Sequence, residues 1–251
     1  MRKSESNEFK ALSFACKYSF ITNKLGYCGL PASYEKFREL VEEKKTKEIA
    51  EVKKRLESFY GLYAYLKLIA RCNHLKPFDY KVIEAYWLGN ELLHRVPRKE
   101  IAKMILCDLS APGLLPKKRA DETAARIPKN AVAHHSFHGL YVKFITNKLA
   151  PTTANTDKCI IKWGKIKRVS GARVEVNGVK LAKNARGLFY LKPAKLSLSK
   201  GIGFNARKGD VISIHWSTAI ERLNGRQARN LKHYTIQNIK AVNSLIDEKK
   251  A

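Results

Sequence analysis

The chain has 251 residues, 45% of them apolar, and a formal net charge of +27. That length suits one large domain or two modest ones, with apolar side chains enough for a real core. No run approaches eighteen uncharged apolar residues and the first ten residues lack the apolar stretch of a secretion signal, so a membrane span is not expected and the cytoplasm is the expected location.

Five cysteines are irregularly spaced and no C-x-x-C occurs, which argues against a zinc ribbon and a thioredoxin-like redox pair. The charge is spread along the chain: net +12 over residues 1–151 and +15 over residues 152–251. Such a field attracts nucleic acid, an anionic membrane surface or an acidic partner protein. The lysines are scattered and no RNA-reading motif appears, so a generally lysine-rich surface accounts for the charge equally well.

In chain order, the first half reads as helical. Phe9, Leu12, Cys16 and Phe20 recur at helical spacing and Gly26 is placed to stop that helix. Leu30–Ser33 is a break, with Ser33 able to cap the next element. Residues 34–54 carry Phe37, Leu40, Val41, Ile49 and Val52 among alternating Glu and Lys, an amphipathic hairpin or long helix. Residues 56–75 are more apolar, with a stripe through Leu56, Tyr60, Tyr63, Leu66 and Ala70, and form the expected central helix. Asp79 is placed to cap a helix that buries Val82, Ile83, Tyr86 and Trp87 and ends at Gly89-Asn90. A further helix runs from Arg98 to Leu109. Residues 117–133 read as polar and irregular. His134-His135-Ser136-Phe137-His138 follows, then an apolar run from Leu140 to Ile145. The hexapeptide Phe-Ile-Thr-Asn-Lys-Leu occurs at 20–25 and again at 144–149, at a spacing that fits no solenoid.

Residues 151–156 read as a polar linker, which divides the chain into a mainly helical domain (1–150) and a second unit (157–251). In the second unit the period changes. Short β-branched runs contain Ile166, Val169, Val174, Val176, Val179 and Leu181, with turn chemistry at Ser170-Gly171 and Asn177-Gly178. Further strands are expected at 188–191, 195–198 and 211–215, giving five or six short strands in a small β-barrel. From about Gly225 the pattern is helical again. The expected fold class is therefore α+β: a helical N-terminal domain, a small β-barrel and a C-terminal helix.

Two motifs bracket the strands. Cys159 precedes Trp163-Gly164-Lys165-Ile166, and Gly209-Asp210 precedes an apolar strand ending at His215, with Ala219-Ile220-Glu221 beyond. In this order they resemble the HypC/HupF hydrogenase formation chaperones over about the last ninety residues. Trp163 stands where that family has a proline, and Cys159 is internal where the family's cysteine is at the mature N-terminus. The resemblance implies a non-enzymatic maturation protein in which Cys159 and His215 handle iron bearing cyanide and carbon monoxide, taken from a protein partner and passed to a metalloenzyme. The phrases at 25–29, 84–90 and 134–138 look like those of an uncharacterised prokaryotic family carrying such a barrel at its end, which implies no activity.

Read from the residues alone, Cys159 and His215 are a thiol and an imidazole that suit a soft or borderline metal, or nucleophilic chemistry. Lys158, Lys162 and Lys165 are placed to lower the thiol pKa if they point towards it. His134 and His138 share a face at i,i+4 if helical, a metal-binding spacing, and with His135 they make a second candidate cluster. No HExxH glutamate accompanies them. Cys28, in an expected loop, is a further thiol candidate. Cys28, the histidine cluster, Cys159 and His215 are all able to meet at one site between the two halves. Two alternatives stay open: a nucleic-acid-binding module using the barrel, with Trp163 and Trp216 as stacking candidates, and a metalloenzyme built on His134–His138. No P-loop, dinucleotide fingerprint or G-x-S-x-G occurs.

Overall fold

The computed structural model describes residues 3–110, 114–143 and 148–248. Among these the chain is mixed α and β, with a helical first half, a five-stranded sheet that closes on itself and a long last helix. The Leu140–Ile145 run and the second copy of the repeated hexapeptide lie partly outside the described residues.

The first helix, α1 (Lys3–Lys24), is the centre of the molecule. Leu12, Ala15, Cys16 and Tyr18 are all 0% exposed, so the helix is covered well beyond one stripe. Helices α2 (Ser33–Glu42) and α3 (Ile49–Glu57) pack on one side of it and α5 (Tyr80–Trp87) on another. Ser33 does not cap α2. It is the first helical residue, and its hydroxyl donates to the Leu30 carbonyl. The expected helix over 56–75 is two elements, because Leu56 belongs to α3 and α4 begins at Tyr60 and ends at Asn73. Tyr60 points out, at 58% exposed. Helix α5 ends where Gly89 takes φ 83°, and a Cβ there would sit 2.0 Å from the Tyr234 ring. A glycine is thus required both by the turn and by the close approach of the last helix.

Helix α6 (Arg98–Met104) continues as a π-helical turn to Leu109. Residues 117–125, expected to be irregular, form α7 (Lys117–Ala125), which starts after Pro116. Proline cannot continue a helix from before it but is tolerated at its start, so Pro116 marks the boundary that the polar composition concealed. The histidine segment forms a three-residue helix, α8 (His135–Phe137), then a π-helical turn over His138–Val142. Residues 151–156 are not a structureless linker. The Thr152 hydroxyl accepts a hydrogen bond from the Asn155 amide at 3.1 Å and caps α9 (Thr153–Cys159).

The strands are β1 (Lys162–Ser170), β2 (Arg173–Lys183), β3 (Phe189–Lys200), β4 (Val211–His215) and β5 (Thr218–Arg222). Their order round the ring is β1-β2-β3-β5-β4. All pairs are antiparallel except β3 with β5, a short parallel pair at Ser199–Thr218 and Lys200–Ala219. Asn177-Gly178, expected to be a turn, lies inside β2. Gly178 faces Gly164, and a Cβ on it would stand 2.9 Å from the Trp163 carbonyl oxygen. The glycine therefore allows a close strand approach, where an expected turn would have cut one long strand into two.

The ring encloses Ile166, Val174, Val176, Leu198, Ile212 and Ile214. Outside it, Ile161, Ile220 and Leu231 belong to the same buried cluster as Leu12, Tyr65 and Trp87. The last helix, α10 (Gly225–Glu248), spans the junction. Glu84 of α5 is 2% exposed and accepts hydrogen bonds from Arg226 and Gln227 of α10, each at 3.0 Å. No described helix is long and apolar enough to cross a membrane.

Candidate metal centre

Cys159 is the last residue of α9 rather than the start of a strand. Its position is set by Asp157 two residues earlier. The Asp157 carboxylate takes the Lys162 ammonium at 2.7 Å and the Leu181 amide at 2.6 Å, tying α9 to β1 and β2. His215 closes β4. The register between β4 and β5 shifts at Ser213/Ile214, immediately before it. The extra residue is Ile220 on β5, so β4 itself keeps its alternation. Ile212 and Ile214 point into the ring, so Ser213 and His215 point out, against α1. There the Tyr18 hydroxyl lies 2.8 Å from the Ser213 hydroxyl, and His215 Nδ1 donates to the Tyr18 carbonyl at 3.0 Å.

That bond fixes the His215 tautomer. With Nδ1 protonated, neutral His215 has a lone pair on Nε2, which makes no hydrogen bond, and the Cys159 carbonyl lies near the ring. Holding one ring nitrogen on a backbone carbonyl and freeing the other is the arrangement of a metal-ligating histidine.

His135 comes in from α8. Its Nδ1 lies 2.9 Å from the Tyr86 hydroxyl, its Nε2 2.9 Å from the Cys159 carbonyl and 3.9 Å from the Cys159 sulfur. Nε2 donates to the carbonyl as the ring stands. The Tyr86 hydroxyl can either donate or accept, so it also accommodates the tautomer with the proton on Nδ1 and a lone pair on Nε2. The Trp87 ring packs on both imidazoles, with centroids 4.6 Å from His135 and 5.7 Å from His215.

One ligand atom each from His135, Cys159 and His215 lies within 4.8 Å of the others, and all three residues are buried. Nitrogen and sulfur ligands at about 2.0–2.3 Å from one ion stand at most about 4.6 Å apart. Round a tetrahedral or trigonal ion such ligand atoms stand about 3.3–3.8 Å apart, so the wider pairs must close by about an ångström for a shared ion.

The sequence candidates divide as follows. Cys28, His135, His138, Cys159 and His215 all line one cavity of about 90 Å³. Tyr60, 58% exposed, also lines it, so the cavity reaches the surface on that side. His138 Nδ1 and Trp216 Nε1 are further buried polar atoms with no hydrogen-bond partner. His134 is elsewhere. It does not share a face with His138, because the chain is not a regular α-helix there. Its Nδ1 accepts from the Ser136 amide and caps α8, while its ring packs towards Tyr234 at 6.2 Å.

Burial dominates the electrostatics. It holds His215 and His138 down at about 4 and His134 at about 3. It also holds His135 well below the usual histidine range, reinforced by the charges of His215 and His138. These imidazoles are neutral at pH 7, the form that binds metal. Burial pushes the Cys159 thiol up, and Cys28 up to about 11. The lysines do not lower the Cys159 pKa: Lys162 is paired with Asp157, and Lys158 and Lys165 are exposed. A thiol raised in this way is a poor free nucleophile, and it becomes a ligand only where a metal displaces its proton.

Trp216 and Ser217 join β4 to β5 with φ 47° and 58°. A two-residue turn with both residues at positive φ favours Asn-Gly, and a tryptophan there is strained. Trp216 is 8% exposed and packs on Tyr27 with ring centroids 4.7 Å apart, and Trp163 is half-buried, so neither offers an open stacking face.

Sequence reading missed Tyr86, Trp87 and the Tyr18 carbonyl as groups that position the site. Tyr86 and Trp87 carry an apolar stripe signal and nothing more, and a backbone carbonyl leaves no signature at all.

The chain belongs to the family of unknown function DUF6390, whose model matches residues 9–249. No curated protein matches it, and no solved structure does.

Proposed function

We propose that this chain is a metal-handling protein that binds a borderline transition metal through His135, Cys159 and His215. Two neutral imidazoles and one thiolate suit iron, zinc or copper far better than magnesium or calcium. The observation behind this reading is the three-residue cluster itself, in which the Nε2 of His215 is held bare by the Tyr18 carbonyl. The order of motifs from Cys159 to α10 brings iron forward as the cargo. It also brings forward transfer to a protein partner, a maturation factor or a metalloenzyme, as in the HypC/HupF chaperones it resembles. Their exposed terminal cysteine differs from the buried Cys159, so transfer requires the cavity to open, and the strained Trp216-Ser217 turn against Tyr27 is the element placed to move.

The test is metal analysis with infrared spectroscopy on protein isolated anaerobically. About one metal per chain is expected, lost in Cys159→Ala and His215→Ala variants that keep the native circular dichroism. Bands from bound cyanide or carbon monoxide identify the cargo as that of the chaperones. A wild-type protein without metal, or variants that keep it, would end this reading.

A nucleic-acid-binding reading is favoured by one observation. On β1–β3, Lys165, Asn177 and Lys195 lie in one exposed row, and Lys180 stands directly opposite Lys192 on the other face of the β2–β3 ribbon. Backbone-tracking binding shows a steep fall of affinity with salt. Binding that vanishes at physiological salt would reduce the row to bulk charge.

A further inference from the structure

A second cavity, distinct from the metal cluster, lies between α7, the 138–142 turn, the β2–β3 connection and the end of α10. It has a volume of about 920 Å³, in the range of small-molecule sites. Its floor is the third apolar cluster of the molecule, in which Leu140, Phe189 and Val242 are buried and Tyr141 and Ile246 pack against them.

The rim has the opposite character. Six cationic side chains, Arg98, Arg119, Arg126, Lys129, Lys143 and Lys183, face only two carboxylates, Glu122 and Glu248. Among the described residues, Arg98, Arg126, Lys129 and Lys183 have no carboxylate partner within ion-pair distance, although the chain forms such pairs elsewhere. The charges converge on the floor. Lys183 Nζ sits 4.6 Å from the centre of the Phe189 ring. The Tyr141 hydroxyl donates to the Thr123 carbonyl at 2.7 Å; burial pushes its phenol up to about 12, and the charges of Arg98 and Arg126 oppose that rise. Unpaired like charges gathered over apolar surface repel one another and are relieved by an anion.

We propose that this cleft binds an amphipathic organic anion, with an apolar body on Phe189, Tyr141 and Val242 and a phosphate head held by the rim. Guanidinium pairs recognise such a head through two parallel hydrogen bonds. The wall of the cleft is also the wall of the metal cavity: the π-helical turn places His138 on one side and Leu140–Val142 on the other. π-Helical turns of this kind are frequent at functional sites.

The experiment is calorimetric titration of the full chain at 0.15 M salt with octyl phosphate and with AMP, with inorganic phosphate and octanol as the head and body controls. The account expects saturable 1:1 binding of at least one amphipathic probe, at least tenfold tighter than inorganic phosphate. Whichever probe binds more tightly tells an aliphatic body from a planar aromatic one. The double variant Arg126→Glu/Lys183→Glu, both exposed positions, weakens it at least tenfold, and Lys208→Glu, which does not line the cleft, leaves it unchanged. Absence of 1:1 binding by either probe, or equal weakening by Lys208→Glu, overturns the proposal. Cys159 and His215 take no part in this titration, so its failure leaves the metal reading untouched.

Discussion

Strands β2 and β4 belong to one ring and meet opposite fates. Along β2, exposed and buried residues alternate through much of the strand, with Arg173, Glu175 and Asn177 outward and Val174 and Val176 inward. In β4 the same alternation of chemistry exists, but all of Ile212–His215 is buried. Helix α1 covers the outer face of β4, so Ser213 and His215, which would otherwise face water, face Tyr18. A polar residue on a covered outer face must find a partner or a ligand. Ser213 finds Tyr18, and His215 keeps one nitrogen free.

Acid provides the largest separation of the two regions. His134, His135, His138 and His215 have folded pKa values depressed by burial, so the folded state binds fewer protons than the unfolded one below pH 6.5. Their stabilisation is complete above that pH and is lost as the pH falls towards about 4. Each contributes about 1.4 kcal/mol per pH unit, so together they remove about 5 kcal/mol per unit, against a total stability of about 5–15 kcal/mol. Metal-free protein is expected to unfold cooperatively between pH 6.5 and 4 by circular dichroism. A fold unchanged at pH 4 would show that these imidazoles are not held neutral.

A smaller effect is expected at the covered face. Ser213→Ala strands the Tyr18 hydroxyl and costs about 1–3 kcal/mol in urea unfolding. If that loss is under half a kcal/mol, the outer face of β4 is wetter than described. Tyr86→Phe leaves the fold intact but removes the partner of His135 Nδ1, and metal affinity should fall about 10–100-fold in chelator competition. The smallest effect belongs to the exposed Lys180–Lys192 pair of β2 and β3. Lys180→Glu turns the pairing with Lys192 attractive and stabilises by about 0.2–1 kcal/mol. Destabilisation there would mean that the Lys180 position is not as open as β2 implies.

Much of the fold is legible in the sequence. Periodicity locates α1, α5 and α10, and β-branched runs with glycine locate the strands. What fails does so for physical reasons. Gly178 reads as a turn because a glycine that admits a neighbouring strand looks the same as one that reverses the chain. The segment around His134 reads as one helix face because nothing in the residues announces that His134 stays extended as the cap of α8, which leaves His135 to face the cavity with His138. Residues 151–156 read as a linker, although Thr152 is a good capping residue and the helix it starts carries Cys159. Cys159 and His215 stand out as residue types at the ends of motifs. Their meeting with His135 depends on long-range packing that no local pattern encodes.

The most direct test of the metal centre counts protons. In the metal-free protein at pH 7 the imidazoles are already neutral and the Cys159 thiol still carries its proton. Metal binding should then release about one proton, all of it from the thiol. Anaerobic calorimetric titration with cobalt(II) in buffers of different ionisation enthalpy gives that number, and a thiolate-to-cobalt charge-transfer band reports the sulfur. The account predicts one equivalent bound, about one proton released and loss of the band in Cys159→Ala. Binding that releases no proton and shows the same spectrum in Cys159→Ala, or no binding at all, would contradict it.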